Sequence, residues 1–178
     1  MIRYVIPFDT SKNIGKSYNE AFKGLNSSDY ICFVDGDSIF LDSHFGAKIQ
    51  RIIDENPNIN AATCMTNRVS CMWQIYNTAN WFNDNMLDHN RFTNECWDNF
   101  GTSVIDVTDK QLMSGVMILL KKETWEKIGG FNEVGMLGID NDFHKRLINA
   151  NEKLWLMQGI YIYHKYRFGD TNNKKHLL

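Results

Sequence analysis

Tyr30-Ile31-Cys32-Phe33-Val34-Asp35-Gly36-Asp37 is an apolar run with no polar interruption that ends abruptly in an acid-glycine-acid turn. A strand apolar on both faces belongs in the middle of an α/β sheet, because helices cover both sides of it. In open α/β sheets ligands bind beyond the carboxyl ends of the strands, which puts Asp35 and Asp37 at a ligand-binding edge. Two carboxylates around a glycine that admits close backbone approach make a hard-oxygen site suited to Mg²⁺ or Mn²⁺ bridging phosphates. A polar turn that merely caps a strand is the plainer reading of the same residues.

The segments on either side supply the alternation such a sheet requires. Ile2 to Ile6 reads as a first strand stopped by Pro7. Asp9-Thr10-Ser11 offers N-caps for a helix from Asn13 to Leu25, in which Ile14, Tyr18, Ala21, Phe22 and Leu25 recur at helical spacing. A helix from Ser43 to Glu55 stops at Pro57, and Ala61 to Met65 reads as the next strand. Asn67 to Lys110 is dense in Asn, Asp and aromatic residues with weak periodicity, and is expected to form short helices and loops across one face of the sheet. Gly115 to Leu120 returns to strand character. Lys121 to Ile128 is a helix closed by Gly129-Gly130, Asp140 to Ala150 a further helix, and Leu154 to Tyr163 the last strand. The pattern predicts one α/β domain over residues 1–178 with a mostly parallel sheet flanked by helices.

Composition agrees with a folded domain. A chain of 178 residues can bury a substantial core, and 43% hydrophobic with 22% charged residues is ordinary for a globular protein. The net charge of −2 gives no electrostatic reason to expect nucleic acid or an anionic membrane as partner. Cys32, Cys64, Cys71 and Cys96 form no C-x-x-C pair and read as buried thiols of a reducing compartment. With no signal-like segment, and no stretch near the roughly 20 apolar residues that span a bilayer, a cytoplasmic protein is expected.

A second group of residues narrows the function. Met113-Ser114-Gly115-Val116-Met117-Ile118-Leu119-Leu120 leads to Gly129-Gly130-Phe131-Asn132-Glu133 and then to Gly138-Ile139-Asp140-Asn141-Asp142. In this order and spacing the chain resembles GT-A (Rossmann-like) glycosyltransferases, above all the family 2 enzymes and the catalytic modules of β-1,4-galactosyltransferases and polypeptide N-acetylgalactosaminyltransferases. The resemblance extends to Tyr4-Val5-Ile6-Pro7-Phe8, to the helix carrying Asn13-Ile14-Gly15-Lys16, to Asp35-Gly36-Asp37 as a D-x-D motif, and to the closing strand with His164. It departs at Ile139 and Asn141, where the galactosyltransferases carry acids. The N-terminus is also shortened: Pro7 leads almost directly into the Asn13 helix, without the strand-helix unit that helps cradle the base. A partner subunit or a second copy is one way to complete it.

The resemblance implies a division of labour, with residues 1–66 binding nucleotide and 67–178 serving acceptor and catalysis. The donor is a nucleotide sugar, with UDP the expected nucleotide, and the acceptor a hydroxyl compound of unspecified identity. Asp37, His164 and Asp35 are the expected metal ligands, with Mn²⁺ favoured over Mg²⁺ because an imidazole joins the carboxylates. Pro7, Asp9, Asn13, Lys16, Asp35, Gly36, Ser114, Gly115 and Arg167 are the expected donor contacts. Asp140 is the expected general base, which implies an inverting transfer, with Asp142, Asn67 and Arg68 toward the acceptor. His44, His89, His144 and His176 have no such context and read as surface or structural residues. Two other classes fit part of the pattern. Phe33 to Asp42 echoes the opening motif of haloacid dehalogenase-like phosphatases, which would make Asp35 a phosphoryl acceptor. A nucleotide-sugar-binding module without catalysis fits the depleted acidic cluster.

Overall fold

The structure is a computed structural model that describes residues 1–78, 81–135 and 137–165. The apolar run identified above is strand β2 (Tyr30–Val34), buried at every position. Ile31 and Phe33 enter one apolar cluster while Tyr30, Cys32 and Val34 enter another, so β2 is covered on both faces. It belongs to a 7-stranded sheet with β1 (Ile2–Val5), β3 (Ser38–Ile39), β4 (Ala61–Thr66), β5 (Val104–Asp106), β6 (Met117–Lys121) and β7 (Leu154–His164). The order is β1-β2-β6-β4-β7-β3, with β5 paired to β7. Helices flank it: α1 (Ile14–Ala21), α3 (Met86–Phe100) and α5 (Ile139–Asn149) supply Tyr18, Phe92 and Phe143 to one cluster. Helix α2 (Phe45–Glu55) supplies Ile49 and Ile52 to the other. Helix α4 (Lys122–Lys127) follows β6 directly.

The sheet is mixed, where the sequence predicts a mostly parallel one. β1 is parallel to β2 and β4 to β7, but β6 lies antiparallel between β2 and β4. The consequence is functional. Because β6 runs against β2, its beginning meets the end of β2: Val34 pairs with Met117, and the Asp35 amide donates to the Val116 carbonyl at 3.1 Å. Ser114 and Gly115 are thereby held beside the acidic turn. β3 leaves that turn and pairs antiparallel with the end of β7, setting Ser38 opposite His164.

Two local expectations change. The Asn67–Lys110 segment contains α3, a helix of 15 residues, in place of short helices and loops. Its polar composition hides the face that carries His89, Phe92 and Cys96 into the core. Helix α1 is shorter than the predicted Asn13–Leu25. It is capped by Asn13, whose side chain accepts from the Lys16 amide, and ends at Phe22. Cys32, Cys64, Cys71 and Cys96 are all free thiols and buried, as expected of their placement in apolar segments. Among the described residues no helix is long and apolar enough to cross a membrane.

Candidate metal and donor site

Asp35, Asp37 and His164 each present a ligand atom within 4.8 Å of the others. The order of the chain explains the meeting: β2 delivers the acids, β3 turns the chain toward β7, and the Lys165 amide donates to the Asp37 carbonyl at 3.0 Å. The His164 ring has a defined tautomer. Its Nδ1 lies 2.9 Å from the Arg68 carbonyl oxygen, which can only accept, so Nδ1 carries the proton. Nε2 lies 3.2 Å from Asp37 Oδ1. Nε2 of His164 and the Asp37 carboxylate thus face the same point, with Asp35 beside them. This donor set, one imidazole nitrogen with two carboxylates, fits a divalent transition ion.

The three residues lie at one part of a cleft of about 930 Å³ that is also lined by Pro7, Asp9, Gly36, Ser114, Gly115, Gly138 and Asp140. Gly115 and Asp140 approach closely: a Cβ at position 115 would come to 3.1 Å of Asp140 Cβ, so that the two would have to part by a few tenths of an ångström. The Gly115 amide donates to Asp140 Oδ2 at 3.0 Å, and the Asn141 amide donates to Oδ1 at 2.9 Å. Burial raises the Asp140 pKa above the ordinary carboxylate value, and these amide bonds offset part of the rise. Tyr18, buried and lining the same cleft, has its phenol pKa raised by burial first and then by the charges of Asp35 and Asp140. Asp9 is held below its usual value by the Ser11 hydroxyl and the Asn13 amide.

The remaining expected residues are placed as follows. Asn13 and Lys16 do not line the cleft; the Asn13 side chain caps α1 and donates to the Glu133 carbonyl at 2.6 Å. Asp142 pairs with Arg146 at 2.6 Å, one turn along α5, and does not line the cleft. Asn67 and Arg68 are buried, do not line the cleft, and both bond the main chain of His164. Arg167 and His176 lie outside the described residues. His89 and His144 are buried structural histidines: His144 Nδ1 accepts from the Met113 amide, and His89 joins Tyr161 and the Asn83 carbonyl.

Nothing in the sequence around Gln74 points to a role at this site. It is fully buried, accepts from the Ser114 amide at 2.7 Å and donates to the Ser114 carbonyl at 3.0 Å. A two-point clamp of this kind fixes the loop that precedes β6. No motif marks it; only the 3-10 turn Met72–Gln74 aims it inward. Asn19 does the same for the Gly-Gly-Phe turn, accepting from the Phe131 amide at 2.8 Å and donating to the Phe131 carbonyl at 2.9 Å. Compared with known proteins, the chain matches no protein-family model and no curated protein.

Proposed function

We propose that this protein is a metal-dependent glycosyltransferase that moves a sugar from a nucleotide sugar, UDP-linked by expectation, to a hydroxyl acceptor. The observation that carries the reading is one cleft holding both a cation-type donor set, Asp35, Asp37 and His164, and a separate, partly buried carboxylate at Asp140. A divalent ion, Mn²⁺ in this reading, would be held by Asp37 and His164 with Asp35 beside it, and when bound it would neutralise a diphosphate leaving group. Gly36, between the two acids and lining the cleft, leaves room for the donor. Asp140 accepts the proton of the acceptor hydroxyl, and burial makes it a stronger base than an exposed carboxylate. The two amides that bind its oxygens hold its orientation. A base on the acceptor side acting in direct displacement describes inversion.

The test is product analysis with a panel of nucleotide sugars and Mn²⁺, in wild type and Asp140→Asn. The expected result is transfer by wild type and a loss of about 10²–10⁴-fold in the variant with UDP binding retained. Transfer at the wild-type rate by Asp140→Asn would remove Asp140 from the base role. UDP binding with no donor turnover by wild type, whatever the acceptor, would mean a binding module. Trapping of a phosphoaspartate mimic at Asp35 with beryllium fluoride would mean a phosphatase.

A further inference from the structure

Directly beneath His164 lies a fully buried arginine. Arg68 has no exposed surface, and a charge in that position is costly unless it is paired and hydrogen-bonded. Its Nε donates to the His164 carbonyl at 2.9 Å, Nη1 to the Trp81 carbonyl at 3.1 Å, and Nη2 to the Tyr163 hydroxyl at 3.0 Å. Nη2 also pairs with the Asp84 carboxylate, which accepts from the Tyr163 hydroxyl at 2.6 Å. The carbonyl of Arg68 receives the Nδ1 proton of His164. One residue therefore grips His164 twice, by the ring through its main chain and by the main chain through its guanidinium. Asn67 completes the grip: its side chain accepts from the His164 amide at 2.7 Å and donates to the His164 carbonyl at 3.1 Å.

We propose that Arg68, with Asn67, is the positioning residue of the metal site: it fixes the tautomer and direction of the His164 imidazole so that Nε2 points at Asp37. Asp84, on the segment leading into α3, is its counter-ion. This rests on the reading that Asp35, Asp37 and His164 hold a divalent cation. The chemistry is that of an outer-shell partner. A ligating histidine bonded through its other nitrogen to a carbonyl is oriented and made more basic, and loss of such support costs about 10–100-fold in metal affinity. Lysine at position 68 would keep the charge but, as a point donor, cannot reach the His164 carbonyl and the Asp84–Tyr163 pair together.

The experiment is Mn²⁺ titration, by water-proton relaxation, of wild type, Asp37→Asn, Arg68→Lys and Asp84→Asn, each checked for folding by near-UV circular dichroism. Nitrogen-15 shifts of the His164 ring are read in the metal-free proteins. Expected are a loss of about 10-fold or more in Mn²⁺ affinity for Arg68→Lys, a smaller loss for Asp84→Asn, and an Nδ1–H ring in wild type that becomes a tautomer mixture in Arg68→Lys, because without the guanidinium the main-chain carbonyl of residue 68 is no longer held against the ring. A folded Arg68→Lys that is merely less stable, with wild-type Mn²⁺ affinity and an unchanged tautomer, overturns the proposal while leaving the cation reading intact. Wild type that binds no Mn²⁺, or Asp37→Asn that binds as tightly as wild type, overturns the cation reading and the proposal with it. Should Arg68→Lys fail to fold, Asp84→Asn decides: unchanged affinity overturns the proposal, and a loss supports it.

Discussion

Asp140 stands in the first turn of α5, where free amides and the helix dipole favour negative charge, yet burial outweighs them and its pKa is raised. A carboxyl with a folded pKa above its unfolded one contributes stability that is full below the unfolded value, 3.8, and is lost as pH rises through the folded value. Wild type should therefore gain stability relative to Asp140→Asn as pH falls from neutral toward that window. Urea unfolding of both proteins at several pH values measures it, and a difference independent of pH would show that Asp140 does not titrate abnormally. Of the residues at this scale, Asp35, Asp37, Asp140 and His164 were legible because each ends or begins a segment of clear periodicity. Arg68 was not. The resemblance marks Asn67 and Arg68 only as acceptor contacts, whereas the partners that bury Arg68, Tyr163 on β7 and Asp84 ahead of α3, are distant in sequence. Gln74 was hidden for the same reason: its partners at Ser114 are 40 positions away.

Among the elements, α1 and the Gly129–Glu133 turn behave as one docked unit. Gly15 faces Asn132 so closely that a Cβ would fall 1.9 Å from the Asn132 carbonyl oxygen. Gly130, at φ +75°, leaves no room for more than hydrogen beside Asn19 Oδ1. Two motifs that the sequence presents separately are thus the two sides of one contact. Gly15→Ala sets helix propensity, worth about 1 kcal/mol in favour of alanine, against a backbone clash that costs about 1–3 kcal/mol or more. The clash is with main chain and should win, so the variant is expected to unfold at lower urea concentration; a higher midpoint would show that the turn is free to move. The structure also accounts for the aim of β7. Cys64 pairs with Met157 but Met65 with Tyr161, so Gln158, Gly159 and Ile160 bulge and exchange the faces of the residues that follow. Tyr161 then meets His89 of α3, and no sequence period announces the switch.

In the whole molecule the antiparallel insertion of β6 gathers the site. The end of β2, the beginning of β6, the N-terminus of α5 and the end of β7 converge on one cleft. The alternation of strands and helices was legible, and with it the α/β class and the end of the sheet that carries the acids. Strand direction was not, because an apolar run of strand length has the same pattern whichever way it is crossed. β1 stands at an edge of the sheet, and Pro7, Phe8 and Asp9, which follow it, form one wall of the cleft. The proposed function requires Asp35, Asp37 and His164 to hold a cation that binds a nucleotide diphosphate, and thermal unfolding of wild type and Asp37→Asn, with and without Mn²⁺ and UDP together, reads that binding. Ligands at about 100 times their dissociation constant stabilise by about 2.7 kcal/mol, which for a chain of this length is a rise of roughly 5–10 °C. We expect that rise in wild type and its loss in Asp37→Asn; an equal rise in both proteins, or none in wild type, would contradict this requirement.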